Sequence, residues 1–428
     1  MFEKISATGN TIRAFQKGTN PGYKEEYGLD EMVAAGKESG SRLEHIFDGI
    51  YNGKIYEEYN SIWQDFDLLP LQDRNNIVSL GEGASELIEF EELSSVINGA
   101  KLYLLMDSEK NPTGTFKDRE ASLIISRCQE LGLNNLVFYS TGNTGRAYTN
   151  YAAQLGLTTY FFMPGTCHYK NTRHIRKNRN NYIIYVDDHY PKISPYAKQF
   201  AKVNGLTSLA PLHDRTEAYA TVAYEQFRKL PKCDFFLQTI ASGMGPIGFL
   251  RGHKNLVKFG LERQEDIPRI ICIQASEMSV MSRAYNSGRT ILTQNDLPKT
   301  FTDDLFEPTL NSTNPVNNYP DLYNCLQESD GLITHVDPDY VKEKSQPLLD
   351  AFKNRKLGLR TDLELSNLIG FAGLVSLAEK GHFQPNQTIM MLSCGKGKDK
   401  STELYEPDAW VNPERDDPLV LKQKLDSL

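Results

Sequence analysis

Short apolar runs alternate with segments of helical periodicity from residue 101 onward. The runs of strand length are 101–106, 135–139, 158–163, 182–186, 234–240, 269–274 and 388–393. The segments of helical spacing are 117–131, 144–155, 215–229, 247–259 and 365–380. Such alternation is typical of βαβ units, in which helices cover a mainly parallel sheet. Because it falls into two series, the pattern predicts an α/β protein with two domains, each an open, mainly parallel sheet flanked by helices, and a cleft between them.

The pattern also divides the chain into regions. Residues 1–75 carry many charges and several aromatic side chains, and we predict a helical N-terminal extension that packs on the main body. Residues 76–118 and 215–428 are assigned to a larger domain, and residues 119–214 to a smaller, mobile domain. Residues 290–330 are rich in Asn, Pro, Thr and Asp, which predicts loops over the surface or the cleft.

The composition is that of a globular protein, and it narrows the classes of partner. The 428 residues are 39% hydrophobic and 24% charged, and the net charge of −8 argues against nucleic acid as a partner. No apolar run is long enough to span a bilayer, and the N-terminus lacks the apolar core of a signal peptide. The six cysteines form no CxxC pair, which argues against zinc and a disulfide framework and predicts a reducing, cytoplasmic location. We interpret the basic run 168–179 as a solvated helix face.

Lys117 is the first candidate for chemistry. It follows the predicted strand 101–106 and the turn Asn111-Pro-Thr-Gly114, and it opens the predicted helix 117–131. The positive end of the helix dipole disfavours an ammonium group there, and a lysine with a lowered pKa is a nucleophilic amine of the kind that Schiff-base chemistry needs. The alternative is an ordinary surface lysine in the first turn of a helix.

Two further strand–turn–helix junctions have the composition of anion-binding sites. Ser140-Thr-Gly-Asn-Thr-Gly145 opens a predicted helix, where backbone N–H groups suit a carboxylate, although an ordinary turn with a threonine N-cap explains the pattern too. Ala241-Ser-Gly-Met-Gly-Pro-Ile-Gly248 follows the strand 234–240, and its small residues allow backbone N–H groups to approach a phosphate. Its glycines also spell G-x-G-x-x-G, the dinucleotide fingerprint, but no lone acidic residue follows at the expected spacing.

Residues 111–119, Asn-Pro-Thr-Gly-Thr-Phe-Lys-Asp-Arg, resemble the cofactor-lysine segment of the threonine synthase branch of fold-type II pyridoxal-phosphate enzymes. That family usually has Ser at the position of Thr115 and Gly at the position of Glu120. Val78-Ser-Leu-Gly-Glu-Gly83 is similar to the family's Leu-Gly-Glu-Gly motif. Together with the two junctions and Met391-Leu-Ser-Cys-Gly-Lys-Gly397, these motifs follow the family's order over most of the chain.

The resemblance implies pyridoxal 5'-phosphate as the cofactor and a role for each motif. Lys117 would bind the cofactor covalently and then move the α-proton of the substrate. The other residues implied in cofactor binding are Asn143 at the ring O3′, then Ala241, Ser242, Gly243, Met244 and Gly245 at the phosphate, and Cys394 at the pyridine nitrogen, with Ser393 as the neighbouring candidate. The residues implied in substrate binding are Ser140, Thr141, Gly142, Thr144 and Arg215. No metal ligand is implied.

Several positions depart from the family's pattern. Arg215 and Glu217 match the family's Arg-x-Glu-Gly-Gln-Lys-Thr, but Ala218-Tyr-Ala220 stands where that motif has Gly-Gln-Lys. The missing lysine argues against the usual phosphorylated substrate. Cys394 stands where the family often has Thr, and a thiol is a weaker hydrogen-bond donor than a hydroxyl. Glu364 matches a family glutamate.

The resemblance therefore implies an enzyme that eliminates or replaces a group at the β or γ carbon of an activated amino acid, since a neutral group at the pyridine nitrogen accompanies that chemistry in the family. Conversion of O-phosphohomoserine to threonine is the simplest form. A β- or γ-replacement on a different activated amino acid in a specialised pathway is the alternative. A nicotinamide-dependent oxidoreductase would leave Lys117 unexplained, and a non-catalytic binding protein would not need the retained motifs. The expected partner is a small amino-acid substrate, and a homodimer stays open.

Overall fold

The computed structural model describes residues 2–5, 8–33, 35–170, 180–188, 190–209, 213–297, 305–310, 315–357, 361–399 and 406–428. Its strands are β1 (Phe2–Ile5), β2 (Thr11–Gly18), β3 (Glu26–Tyr27), β4 (Leu43–Ile50), β5 (Leu87–Glu89), β6 (Lys101–Leu105), β7 (Asn135–Tyr139), β8 (Thr158–Pro164), β9 (Asn181–Val186), β10 (Thr207–Ser208), β11 (Phe235–Thr239), β12 (Arg269–Ala275), β13 (Leu332–Val336), β14 (Thr361–Leu363), β15 (Thr388–Leu392), β16 (Lys396–Asp399) and β17 (Ala409–Val411). Its α-helices are α1 (Asp107–Lys110), α2 (Lys117–Glu130), α3 (Asn143–Gln154), α4 (Tyr190–Val203), α5 (Asp214–Lys229), α6 (Met244–Lys258), α7 (Val280–Asn286), α8 (Tyr319–Glu328), α9 (Pro338–Lys344), α10 (Gln346–Asn354), α11 (Leu365–Glu379) and α12 (Pro418–Asp426). None of the described helices has the length and apolarity that crossing a bilayer requires.

The larger domain is built on a six-stranded sheet with the order β13-β12-β11-β15-β6-β5. Neighbouring strands are parallel, except that β5 pairs antiparallel with β6 at one edge. The central strand β11 is buried along its whole length because α11 packs on one face of the sheet and α6 on the other. A strand covered on both faces has a continuous apolar sequence, which is why the run 234–240 predicted it.

The smaller domain contains a parallel five-stranded sheet with the order β10-β7-β8-β9-β17. Helices α2 and α3 cover one face, and α4 and α12 cover the other. The strand β17 pairs with β9, and Leu421 and Leu425 of α12 pack near Phe200 of α4. The C-terminal elements β17 and α12 therefore join this sheet, which corrects their assignment to the larger domain; a three-residue strand is too short for its pattern to show. The other domain boundaries stay a prediction.

The N-terminal extension is a small antiparallel sheet, so the prediction of a helical segment was wrong. Strands β1, β3 and β4 all pair with β2. Ile12 and Ala14 point inward from β2 and alternate with exposed neighbours, which is the period of a strand with one buried face. They pack with Tyr224 of α5 and Leu256 of α6, so the extension is attached to the larger domain.

The segment 290–330 is only partly loop. Helix α8 occupies its end, begins with Pro320 in its first turn, and buries Leu322, Cys325 and Leu326 at helical spacing. These side chains pack against the α6 face of the larger sheet, so tertiary packing stabilises a helix that the polar composition of the segment concealed. Thr309 and Leu310, earlier in the segment, do lie at the cleft.

Candidate active site

A cavity of about 170 Å³ opens between the two domains. Its walls come from the carboxyl ends of β11 and β15 and from the first turns of α2, α3, α6 and α11, which is where ligands bind in open α/β sheets. The predicted site residues that line it are Lys117, Ser140, Thr141, Asn143, Thr144, Arg215, Ala241, Ser242, Gly243, Met244, Gly245 and Cys394. Gly142 is not part of this wall. The structure therefore brings together residues that lie far apart in the sequence.

Lys117 is the first residue of α2. Its Nζ donates a hydrogen bond to the Tyr219 hydroxyl at 2.7 Å and lies 4.2 Å from the centre of the Phe116 ring. Burial lowers the pKa of the Lys117 amine from 10.5 to about 8, while the nearby carboxylate of Glu120 opposes this shift. At neutral pH roughly a tenth of the amine is then unprotonated, compared with well under a thousandth for an ordinary lysine. Lys117 is therefore suited to act both as a nucleophile and as a proton carrier.

Glu120 holds the groups around Lys117 together, and sequence reasoning did not place it in the site. Its carboxylate is fully buried and accepts hydrogen bonds from Thr144 Oγ1 at 3.0 Å, Arg215 Nε at 2.8 Å and the Tyr219 hydroxyl. Burial by itself favours the neutral acid, but the charges of Arg215 and Lys117 hold the pKa of Glu120 below its ordinary value. An ionised carboxylate thus connects these side chains. The sequence signal was Glu120 itself, at a position where the resembling family usually has glycine.

The junction 140–145 forms a tight turn into α3. Ser140 Oγ accepts hydrogen bonds from the N–H groups of Gly142 at 2.9 Å and Gly145 at 3.0 Å. Gly142 has a φ of 144°, which other residues rarely adopt, and a Cβ at Gly145 would lie 2.0 Å from the Phe161 ring. The first turn of α3 therefore borders the cavity, and a helix N-terminus favours an anion such as a carboxylate.

The Asn143 amide is held by a buried carboxylate. Asn143 Nδ2 donates to Glu364 Oε1 at 3.0 Å, and Arg146 Nη2 lies 3.4 Å from Asn143 Oδ1. Glu364 is buried, and a Cβ at Gly395 would lie 1.8 Å from its Oε2, so a larger residue there would displace the Glu364 carboxylate. Glu364 thereby orients Asn143 at the cavity wall. The role of Asn143 at the cofactor ring stays a prediction.

The glycine-rich junction 241–248 ends β11 and begins α6. Gly243 caps the helix with a φ of 79°, in the left-handed region that favours glycine. A Cβ at Gly245 would lie 2.3 Å from the end of the Gln238 side chain, so a larger residue there would displace the Gln238 amide. The small residues leave the N-terminus of α6 accessible from the cavity, where its dipole and backbone N–H groups suit a phosphate.

Cys394, and not Ser393, reaches the cavity. Cys394 lines the wall after β15, and burial raises the pKa of its thiol to about 12, so the thiol is neutral. Its backbone N–H donates to Asn367 Oδ1 at 2.8 Å, which fixes this segment against α11. Ser393 points away from the cavity and its hydroxyl lies 2.6 Å from that of Ser108. Of the two candidates, only Cys394 lines the cavity, and its role at the pyridine nitrogen stays a prediction.

Two buried polar atoms of the cavity wall have no hydrogen-bond partner among the described residues. They are Gln238 Oε1 and Ser366 Oγ, on side chains that are only 2% and 3% exposed. A buried polar atom without a partner is costly, so these atoms suit a polar ligand. Neither residue was predicted. The signal for Gln238 was one amide side chain within an otherwise apolar, buried strand, whereas the sequence around Ser366 offered none.

The residues of the cavity fit pyridoxal phosphate. Lys117 offers an amine for an aldehyde, the N-terminus of α6 offers N–H groups for a phosphate, and Asn143 offers an amide for a ring oxygen. Cys394 offers a neutral group for a ring nitrogen, and Gln238 supplies a polar atom without a protein partner among the described residues.

Outside the cavity, His45, His213 and Asp214 form the one described cluster with metal-ligand chemistry. Their ligand atoms all lie within 4.8 Å of one another. Arg127 Nε lies 3.6 Å from Asp214 Oδ1, and its positive charge disfavours a cation there. The predicted solvated helix face at 168–179 falls largely outside the described residues.

Comparison with known proteins identifies the family. The profile of the family described as pyridoxal-phosphate dependent enzyme matches residues 78–395. Among curated relatives, the chain is similar to a threonine synthase from Methanocaldococcus jannaschii, with 25% identity over 396 residues that cover 90% of this chain and 92% of the relative. It is also similar to a cysteate synthase from Methanoregula boonei, with 24% identity over 312 residues, 70% of this chain and 72% of the relative.

Solved structures share the fold. The crystal structure of diaminopropionate ammonia lyase from Escherichia coli in complex with an aminoacrylate-PLP azomethine reaction intermediate aligns with a TM-score of 0.61. The sequence identity is 16%, and the alignment covers 75% of this chain and 86% of the lyase. Maize serine racemase aligns with a TM-score of 0.59 and 18% identity, over 74% of this chain and 90% of the racemase. The family match accounts for the glycines at 243–248 without a dinucleotide. The chain belongs to the pyridoxal-phosphate dependent enzymes of fold-type II, and pyridoxal phosphate is its cofactor.

Proposed function

We propose that this enzyme eliminates or replaces a group at the β or γ carbon of an activated amino acid. The observation that carries the proposal is the convergence on one cavity of the Lys117 amine, the N-terminus of α6 and the neutral thiol of Cys394. When bound, pyridoxal phosphate supplies an electron sink that stabilises negative charge at the α carbon of an amino acid. A neutral thiol facing the pyridine nitrogen leaves that nitrogen largely unprotonated, which favours this reaction class.

Each wall of the cavity then has one task. Lys117 anchors the cofactor, and its amine, once released by the incoming amino acid, accepts and returns the α-proton. A pKa of about 8 suits both directions of that transfer near neutral pH. The first turn of α6 binds the cofactor phosphate, and Asn143, oriented by Glu364, binds the ring oxygen. The first turn of α3 binds the substrate carboxylate.

Two specific reactions fit this class. Conversion of O-phosphohomoserine to threonine is the simpler, because threonine synthases are among the curated relatives that align with most of this chain. A replacement on another activated amino acid is the alternative, because cysteate synthases are also among the relatives and because Tyr219-Ala220 stands where the resembling family has Gln-Lys. We expect a cytoplasmic enzyme, since all six cysteines are free and buried. The oligomeric state stays a prediction.

The visible absorbance spectrum tests the proposal. The purified protein supplied with pyridoxal phosphate should develop a yellow band, and Lys117→Ala should abolish or alter it. Lys110→Ala is the matched control, because Lys110 ends α1 only a few residues away and does not line the cavity. Asn143→Ala should change the band as well. Added amino acids and their O-phospho and O-acetyl forms should perturb the band of the wild type if they are substrates. A protein that stays colourless would contradict the proposed function.

A further inference from the structure

The cavity wall contains little uncompensated positive charge. Among the described residues that line it, the cationic side chains are Lys117 and Arg215, and the acidic side chain is Glu364. Arg146 lies behind Asn143, outside this wall, where its charge acts on Glu364. Within the described part of the wall, the positive charge that a substrate meets therefore comes from Lys117 and Arg215.

Neither of these two cations offers an unpaired charge to an anionic side chain when the substrate enters the cavity. The proposed function assigns the Lys117 amine to the cofactor, so Lys117 carries no free ammonium charge when the substrate enters the cavity. Arg215 Nε is bound to Glu120 Oε2 at 2.8 Å, and Glu120 is fully buried with its other oxygen bonded to Thr144. Since Glu120 is held in its ionised form, the pair has no net charge.

The anions of the expected complex already have their own positions. The cofactor phosphate is assigned to the first turn of α6, and the substrate carboxylate to the first turn of α3. A phosphate on the substrate side chain would be a third anion in the same small cavity. This phosphate would meet the Arg215–Glu120 pair. The buried Glu120 carboxylate already binds the Arg215 guanidinium, and its negative charge repels the doubly charged phosphate.

We propose that the amino-acid substrate carries an uncharged leaving group, a hydroxyl or an acyl ester, and that Glu120 excludes phosphorylated substrates by neutralising Arg215. This inference rests on the proposed function and selects among its substrates. The leaving group departs from the β or γ carbon with the bonding electron pair, and it is protonated as it leaves, to water or to a carboxylic acid. When the group leaves the β carbon, its proton is the α-proton that the Lys117 amine has removed. When the group leaves the γ carbon, Lys117 also removes a β-proton, returns the α-proton and passes the β-proton to the leaving group, so no further reactant is needed for the elimination.

The first test compares matched substrates on the wild-type holoenzyme. L-homoserine and L-serine are each presented as the free hydroxyl, the O-acetyl ester and the O-phosphate, and turnover and the change in the visible band are measured. We expect the preferred substrate to be a hydroxyl or acetyl compound, with kcat/KM at least ~10-fold above that of its phosphate, the size of effect that one uncompensated charge near a protein surface readily produces. Calorimetric affinities should rank the compounds in the same order.

The second test removes the proposed selectivity. Glu120→Gln keeps the size of the side chain but frees the charge of Arg215, so the ratio of kcat/KM for the phosphate to that for the acetyl ester should rise by ~10-fold or more. Glu92→Gln is the matched control, because Glu92 pairs with Arg355 at 2.5 Å on the surface, away from the cavity. It should leave that ratio unchanged. The comparison on the wild type stands even if Glu120→Gln does not fold.

The outcomes separate the inference from the proposed function. A wild-type enzyme that prefers the phosphates, or an unchanged ratio in a folded Glu120→Gln variant, would overturn the inference while the proposed function stands. A holoenzyme whose band responds to none of the amino acids would overturn the proposed function and, with it, the inference. Preference for the uncharged leaving group together with a raised ratio in Glu120→Gln supports both.

Discussion

Removing the charge of Glu120 should lower the pKa of Lys117. Glu120 Oε2 lies 3.9 Å from Lys117 Nζ, and its negative charge stabilises the ammonium form, which raises the pKa against the effect of burial. Two unit charges at that distance interact by about 4 kcal/mol at an effective dielectric constant of 20, which equals about three pH units. Arg215 and Tyr219 share the same carboxylate, so the net effect is smaller. In Glu120→Gln the uncompensated charge of Arg215 acts in the same direction.

The apoprotein provides the assay. Only the neutral amine reacts with an aldehyde, so the rate at which the visible band develops after mixing with pyridoxal phosphate should rise with pH through the pKa of Lys117. We expect a midpoint near pH 8 for the wild type. For Glu120→Gln we expect a midpoint lower by about one to two pH units. The surface variant Glu92→Gln should behave as the wild type. A midpoint in Glu120→Gln at or above that of the wild type would refute this account of the lysine.

Three further predictions address other parts of the structure. Tyr219→Phe removes the hydroxyl that binds Lys117 Nζ, and it should slow exchange of the substrate α-proton with deuterium by roughly tenfold, which corresponds to the loss of one hydrogen bond. Tyr103→Phe removes a hydroxyl–carboxylate contact outside the cavity and should leave that exchange rate unchanged. Arg119→Met removes the cationic partner of the buried Asp107 carboxylate and one of the two cationic partners of buried Glu225, so it should lower the free energy of unfolding by about 3 to 5 kcal/mol in denaturant titrations. Arg355→Met at an exposed ion pair should cost less than about 1 kcal/mol. Cys394→Ser keeps a neutral group at the pyridine nitrogen and should retain the visible band and turnover; equal turnover by Cys394→Asp would show that neutrality at this position is irrelevant.

Local sequence signals predicted the parts of the site that are made by single junctions. Lys117 at the start of a helix and the glycine loop at 241–245 each combine a buried strand, a turn and a helix, so both position and chemistry are encoded within a few residues. Cys394 was predicted on the same basis, but only the structure separated it from Ser393, because the direction of a side chain after a strand depends on the tertiary packing.

What sequence reasoning missed depends on contacts between distant segments. Glu120 becomes part of the site because Arg215 and Tyr219, on another helix, point at its carboxylate. The sequence shows a glutamate where the resembling family usually has glycine, but it does not show that Arg215 and Tyr219 reach this carboxylate. The N-terminal sheet was missed because its two long strands, β2 and β4, bury only one face and therefore lack a continuous apolar run. The strand β17 joins the smaller sheet through pairing with β9, which a three-residue pattern cannot reveal.

Covalent trapping shows whether Lys117 carries the cofactor. The holoenzyme is treated with borohydride, which reduces the bond between a lysine and pyridoxal phosphate to a stable amine, and the digested protein is analysed by mass spectrometry. We predict a phosphopyridoxyl group on the peptide that contains Lys117, and none on that peptide without prior reduction. Stoichiometric attachment to a different lysine, or no attachment in a protein that binds the cofactor, would contradict it.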